Sequence, residues 1–295
     1  MLELDRVTRA FTAPDGSTYC TLQDISLSVG SGAFVVIVGP SGCGKSTLLN
    51  IVAGLLPPSS GRVRVDGEEL AGLNRRATYM FQQDALLPWK DVRDNVALGL
   101  VLAGRARADA NRHADEWLAR VGLTAFASHY PAQLSGGMRK RVAMAQNWII
   151  DRDILLMDEP FSALDVHTRQ RMETELLALW ESPRSAESLA LQPPTARQTP
   201  APHAPPTVGR AFQASRKTVL FVTHDLEEAI ALADEVVVLS AGPASHIVAR
   251  HAVALERPRD LLELRTSTGF IDLYRTLWAV LREEVIKSQR ERSRA

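Results

Sequence analysis

The chain has 295 residues, 45% of them hydrophobic, with 34 Lys and Arg balanced by 34 Asp and Glu. That is enough chain for one large domain or two small ones, and zero net charge argues against general nucleic-acid binding through a basic surface. Only Cys20 and Cys43 are present, so no disulfide framework is expected and a reducing compartment is the simplest reading.

The first residues, Met1–Arg6, are charged early and lack the apolar core of a signal peptide. No stretch approaches the ~18 uncharged apolar residues of a membrane-spanning helix, so any work at a membrane would go through a partner. Residues 1–38 read as short β-like runs separated by turns. Asp24–Val29 alternates with period two, as a half-buried strand does, whereas Ala33–Val38 is continuously apolar, as a strand covered on both faces is. A glycine loop at 39–44 leads into a predicted helix over 46–53. Residues 90–135 read as helical with a polar stretch near Arg105–Arg112, and 138–150 as another helix. Ile154–Met157 is a second buried strand, 166–181 a helix, and Thr218–Val222 and Glu235–Leu239 are further strands. Ser182–Ser215 carries seven of the sixteen prolines and no period, and is expected to be a disordered insert. Phe270, Leu273, Tyr274, Leu277, Leu281 and Val285 recur at helical spacing and predict a docked amphipathic helix.

Gly39-Pro40-Ser41-Gly42-Cys43-Gly44-Lys45-Ser46-Thr47 fits G-x-x-x-x-G-K-[ST]. Such a loop curls backbone N–H groups around phosphate oxygens, and the following helix turns its positive end to the same anion. Lys45 is placed to reach the β- and γ-phosphates of a nucleotide, and the Ser46 hydroxyl to bind Mg²⁺. A buried strand before the loop and a helix after it are the required context. Cys43 sits at a variable position of the motif and reads as filler, not nucleophile. The strand at 154–157 ends in Asp158-Glu159. In a parallel sheet the carboxyl ends of strands face the ligand. Asp158 is the candidate Mg²⁺ holder, and Glu159 the group that orients or deprotonates the attacking water. Alone, the pair would read as a solvated strand end; beside a phosphate loop it does not.

Four more motifs carry a resemblance. Leu134-Ser135-Gly136-Gly137-Met138 resembles the signature peptide of ABC ATPases. Gln82 resembles the Q-loop glutamine, Ser162-Ala163-Leu164-Asp165 the D-loop, and His224 the switch histidine. Their order and approximate spacing match the family over nearly the whole chain except 182–215. The resemblance implies an α/β P-loop NTPase fold of the ABC ATPase type, with a mixed RecA-like core sheet, an N-terminal antiparallel β subdomain and a helical subdomain at about 85–140. The ATPase domain would span 1–255 and a helical extension 256–295. It implies that Ser135, Gly136 and Gly137 meet the γ-phosphate held by another copy, that Asp165 belongs to the same shared site, and that His224 contacts the γ-phosphate. It also implies that Gln82 senses Mg²⁺ and acts with Glu159 and His224. An aromatic should stack on adenine, Phe11 by position, with Tyr19 the runner-up. Leu86-Leu87-Pro88-Trp89, Asp158–Asp165 and Arg257-Pro258-Arg259 are similar to the nitrate, sulfonate and taurine importers. Ala145-Gln146-Asn147-Trp148 departs from the family's Ala-Arg-Ala-Leu.

The expected protein is an ATP- and Mg²⁺-dependent ATPase, working as a homodimer on the cytoplasmic face of a membrane. It would join permease subunits, would reach a solute-binding protein through them, and would not bind nucleic acid. Its rivals are a non-transport ABC ATPase of DNA repair or translation and a catalytically dead cassette. The first usually has two cassettes or a long coiled coil, and the second lacks catalytic residue types that are present here. The apolar residues Leu86, Leu87 and Trp89 are read as exposed and as the permease contact.

Overall fold

The computed structural model describes residues 1–182 and 216–292. The proline-rich segment therefore lies, beyond Ser182, outside the described residues. The chain divides into two compact units, one made of Met1–Ala77, Leu156–Glu159 and Thr218–Ala295, the other of Thr78–Leu155 and Pro160–Lys217.

In the first unit, β1 (Leu2–Thr12) and β2 (Thr18–Val29) pair antiparallel, and β1 also pairs with β4 (Ser60–Val65), which pairs with β5 (Glu68–Glu69). The sheet order is β2-β1-β4-β5. The N-terminal residues thus form two long strands, one bulged between Leu4 and Ala10, and not the series of short runs that the turn residues suggested. Period-two alternation buries Leu2 and Leu4 of β1 and Ile25, Leu27 and Val29 of β2, and Val7 is buried beyond an irregularity in β1.

The core sheet has the order β10-β9-β3-β8-β7-β6, with β3 (Phe34–Val38), β6 (Ala77–Met80), β7 (Ile154–Asp158), β8 (Thr218–Thr223), β9 (Glu235–Leu239) and β10 (Ile247–Ala252). Strand β3 runs parallel to both neighbours, with Val36 opposite Phe221 on one side and Val236 on the other, while β10 is antiparallel to β9. The sheet is therefore mixed. Every residue of β3 and β8 is buried, which is why both read as unbroken apolar runs. Helix α1 (Lys45–Val52) follows β3 after the loop 39–44.

The second unit is largely helical. The stretch read as one helical region resolves into α2 (Val92–Leu102) and α3 (Arg107–Arg120), followed by 3₁₀ turns at Thr124–Phe126 and Pro131–Gln133. Helix α3 begins inside the polar stretch, whose charges are paired along the surface, as in Arg105–Asp109 (2.8 Å) and Arg112–Asp109 (2.6 Å). Its buried stripe is Ala110, Ala114 and Leu118 at four-residue spacing. These pack with Val92, Val96, Leu100, Val142, Ala145 and Leu86. Leu86 is thus a core residue, contrary to the exposed reading given it above, because it closes the apolar cluster of the helices. Trp89, three residues on, is 71% exposed. Helices α4 (Gly136–Trp148) and α5 (Val166–Glu181) belong to the same unit. Trp148, one departure from the family pattern, is buried, and Asn147 bonds back to the Ala143 carbonyl.

After β8, the first unit continues with α6 (Leu226–Leu232), α7 (Leu261–Leu264) and the 25-residue α8 (Thr268–Arg292). Of the stripe expected along α8, Phe270, Leu277 and Leu281 are buried, while Leu273, Tyr274 and Val285 are half-buried. Arg257-Pro258-Arg259 has a structural task. Arg259 is buried and donates to the carbonyls of Ala231 (3.0 Å) and Ala233 (2.8 Å) at the end of α6, while Arg257 binds Asp234 and the Leu232 carbonyl. Cations there complement the negative helix end and satisfy its last carbonyls.

Candidate functional site

The loop Gly39–Gly44 joins β3 to α1, so its amides precede a helix N-terminus at the carboxyl end of a buried parallel strand. Gly44 adopts φ +94°, and a Cβ there would lie 2.8 Å from both Thr21 and Leu22 of β2; only glycine fits. Cys43 is buried and burial pushes its thiol up, which suits packing and not nucleophilic attack. Lys45 is also buried. Its ammonium donates to the carbonyls of Gly39 (2.9 Å) and Pro40 (3.2 Å) and lies 3.9 Å from Glu159.

Strand β7 ends at Asp158, and the Ser46 hydroxyl donates to its Oδ1 at 3.0 Å. These two residues, 112 positions apart in sequence, offer the hard oxygen donors that Mg²⁺ takes beside phosphate oxygens. Among the described residues no cluster of three His, Cys, Asp or Glu could hold a metal ion. Glu159 is the first residue past β7. Its φ is +43°, in the left-handed region a non-glycine residue rarely adopts, and its amide donates to the Val222 carbonyl of β8. His224, just past β8, is placed opposite. Its Nδ1 lies 3.0 Å from Glu159 Oε2. An ionised carboxylate can only accept, so the imidazole donates. That bond, with the nearby Lys45, holds the Glu159 carboxyl below its usual range, and it raises the His224 imidazole above its own. Lys45, Ser46, Asp158, Glu159 and His224 are thus brought together in the first unit.

Phe11 and Tyr19, the two candidate base platforms, are register partners across β1 and β2. They stand side by side, 38% and 50% exposed, so neither is a core packing residue. The Arg9 guanidinium lies 4.5 Å from the Phe11 ring centroid.

The remaining predicted residues belong to the second unit. Ser135 caps α4, accepting from the Met138 amide (3.3 Å), with Gly136 and Gly137 as the first helical residues and not ahead of the helix. A Cβ on Gly137 would approach Thr168 of α5 to 2.8 Å, so that glycine also has a packing reason. Asp165 caps α5 through the Thr168 amide, a bond that lowers its carboxyl. The Gln82 carbonyl accepts from the Lys140 ammonium (2.7 Å), which also pairs with Asp84. The cap roles of Ser135 and Asp165, and the strain at Glu159, are not visible in the motifs themselves.

A strand, phosphate loop and helix on a mixed sheet, with a carboxylate pair at the end of another strand of that sheet, define a P-loop ATPase. The chain matches the family model for "ABC transporter" over residues 22–162. It is 39% identical to an ABC transporter ATP-binding protein of Methanocaldococcus jannaschii, over 97% of this chain and 93% of that one. It is 38% identical to the taurine import ATP-binding protein TauB of Rhizobium johnstonii, over 95% and 96% of the two chains, and 38% identical to the nitrate import ATP-binding protein NrtD of Synechococcus elongatus, over 88% and 83%. A solved ATP-binding cassette, dimeric and bound to ADP and Pi in a post-hydrolysis state, superposes with a TM-score of 0.67 at 28% identity, covering 87% of this chain and all of that one. The chain belongs to the ABC transporter ATP-binding family and is an ATPase.

Proposed function

We propose that this chain is the energy-supplying subunit of an importer for small anions of the nitrate, sulfonate and taurine kind, working at the cytoplasmic face of a membrane through permease subunits. A solute-binding protein would be an indirect partner. The observation that carries the reading is the Lys45, Ser46, Asp158, Glu159 and His224 constellation, on a chain whose relatives are named for taurine and nitrate import. No helix among the described residues is long and apolar enough to cross a membrane, and in this reading the pore belongs to the permease subunits.

In this reading the amides of Gly42–Lys45 bind the phosphates and the Lys45 ammonium exchanges its two carbonyl partners for phosphate oxygens. Ser46 and Asp158 would hold Mg²⁺, which when bound would supply positive charge against the phosphate oxygens, and Gln82 is proposed as a sensor of the bound ion. Glu159, kept ionised by His224 and Lys45, orients the attacking water and accepts its proton. His224 then faces the γ-phosphate as a donor. Phe11, or its neighbour Tyr19, carries the adenine. Ser135, Gly136, Gly137 and Asp165 complete the site of a second copy, head to tail.

Mixing two inactive variants tests the shared site. Lys45→Ala should lose ATP binding, and Ser135→Arg should bind ATP yet fail to hydrolyse it. Together they should recover up to one working site per heterodimer. Normal hydrolysis by dilute, monomeric Ser135→Arg would overturn the arrangement. Co-purification with a membrane permease that imports labelled taurine or nitrate supports the transport reading; co-purification with nucleic acid instead would replace it.

A further inference from the structure

Glu284 lies in the middle of α8, on the same buried side as Leu277 and Leu281, and is itself 4% exposed. Burying a carboxylate costs free energy that a leucine at this place would not. What the carboxylate gains is specific. Its Oε2 accepts the backbone amide of Ala241 at 2.9 Å, and Lys287, three residues on, donates to Oε1 at 2.5 Å.

Ala241 opens the loop that leaves β9. The loop closes on itself, since the Ser240 and His246 amides donate to the His246 carbonyl (2.9 Å) and the Ser240 hydroxyl (3.0 Å) respectively. From the far side it is tied to β2: Ala244 donates to the Cys20 carbonyl (2.7 Å), Ser245 to that of Thr21 (3.0 Å), and Gln23 to that of Ser245 (2.8 Å). Between these two anchors the loop lies against the phosphate loop. A methyl group on Gly39 would stand 3.1 Å from the Leu239 carbonyl oxygen. One on Gly242 would stand 3.3 Å from the Tyr19 hydroxyl and 3.6 Å from the Gly42 carbonyl oxygen.

We infer that Glu284 is a positioning residue for ATP: it fixes the segment Ser240–His246, which in turn supports the backbone of Gly39–Gly42 and the Tyr19 side of the base platform. The extension helix is then part of the nucleotide site's scaffold, without touching nucleotide. This rests on reading the phosphate loop as the ATP site.

The test is a KM-against-kcat comparison on the full chain, with ATP binding measured in parallel by calorimetry. Glu284→Ala should raise KM and Kd for ATP roughly tenfold, as expected for loss of a buried hydrogen bond to a charged group, with kcat within about twofold. Glu284→Gln keeps an acceptor for the Ala241 amide and should recover most of the affinity. A purely structural role would lower the melting temperature and leave KM unchanged in the folded variant, which overturns the inference. So would an unrescued Glu284→Gln. If Glu284→Ala does not fold, Gly242→Ala presses the same loop from its other side. It should raise KM for ATP, and an unchanged KM there also overturns the inference. Lys45→Ala separates the two readings. If it still binds ATP, the site reading itself fails; if it does not and Glu284→Ala binds normally, only the role of Glu284 falls.

Discussion

His224 and Glu159 stand at the ends of two neighbouring strands, and their side chains meet at 3.0 Å, Nδ1 to Oε2. The contact raises the imidazole above its ordinary value and lowers the carboxyl below its own. The signs follow from that. The raised imidazole contributes stability that is fully present below its ordinary value of about 6.5 and is lost as pH rises through its folded value. The lowered carboxyl contributes stability present above about 4.3 and lost as pH falls through its folded value. The pair therefore acts between those limits. NMR titration should place the His224 imidazole above its ordinary value in the wild type and closer to it in Glu159→Gln. An unshifted imidazole in the wild type would contradict the contact.

Phe11 and Tyr19 share a register position across β1 and β2, so one face of that ribbon offers two rings. Phe11→Ala should weaken ATP and ADP alike, because a base contact does not sense the γ-phosphate. Stacking worth ~1–3 kcal/mol per base corresponds to roughly 5- to 150-fold in Kd. Tyr19→Ala should have the smaller effect. The reverse order in a binding titration would assign the platform to Tyr19.

Trp89 is 71% exposed on a loop whose neighbour Leu86 is buried. An exposed indole in that setting suits a partner surface. Trp89→Ala should leave the basal ATPase rate of the isolated chain within about twofold, while ATP-driven uptake by the reconstituted transporter falls at least tenfold, the loss of a hot-spot residue. Undiminished uptake would remove Trp89 from the permease contact.

Trp180 and Lys217 flank the proline-rich segment and are joined directly. The buried Trp180 indole donates to the Lys217 carbonyl at 2.7 Å, and the Arg216 guanidinium lies 4.8 Å from the ring centroid. The two chain ends are thus already side by side, and a short Gly/Ser turn can bridge them. Replacing Ser182–Ser215 in this way should preserve ATPase activity. Trp180→Phe should cost ~1–3 kcal/mol in denaturant unfolding by removing this buried hydrogen bond, with KM for ATP unchanged. A large loss of hydrolysis on replacing the segment would show that ATP turnover depends on it.

Much of the site was legible in the sequence because it depends on local chemistry. Ala33–Val38 is apolar throughout, since β3 is covered on both faces, and the glycine-lysine loop follows it without a gap. The strand at 154–158 was equally plain. What stayed hidden depends on distant partners. Strand β10, Ile-Val-Ala-Arg-His-Ala, lies at the sheet edge with no fully buried residue, and β4 shows only Val63 and Val65 to the core. Leu86 looked exposed beside Leu87 and Trp89, but its burial comes from residues up to Ile149. The positive φ of Glu159, the buried Glu284 and the Trp180–Lys217 bond leave no local pattern at all.

The central claim is that Glu159 activates the water that cleaves ATP, and one substitution tests it most directly. Glu159→Gln keeps the size of the side chain and leaves Ser46 and Asp158 in place, but removes the proton acceptor. Single-turnover hydrolysis should fall by roughly 10²- to 10⁴-fold, the usual worth of general-base catalysis, while ATP binding survives and the nucleotide-bound dimer accumulates. Turnover within a few-fold of wild type in the folded, ATP-binding variant would contradict the account.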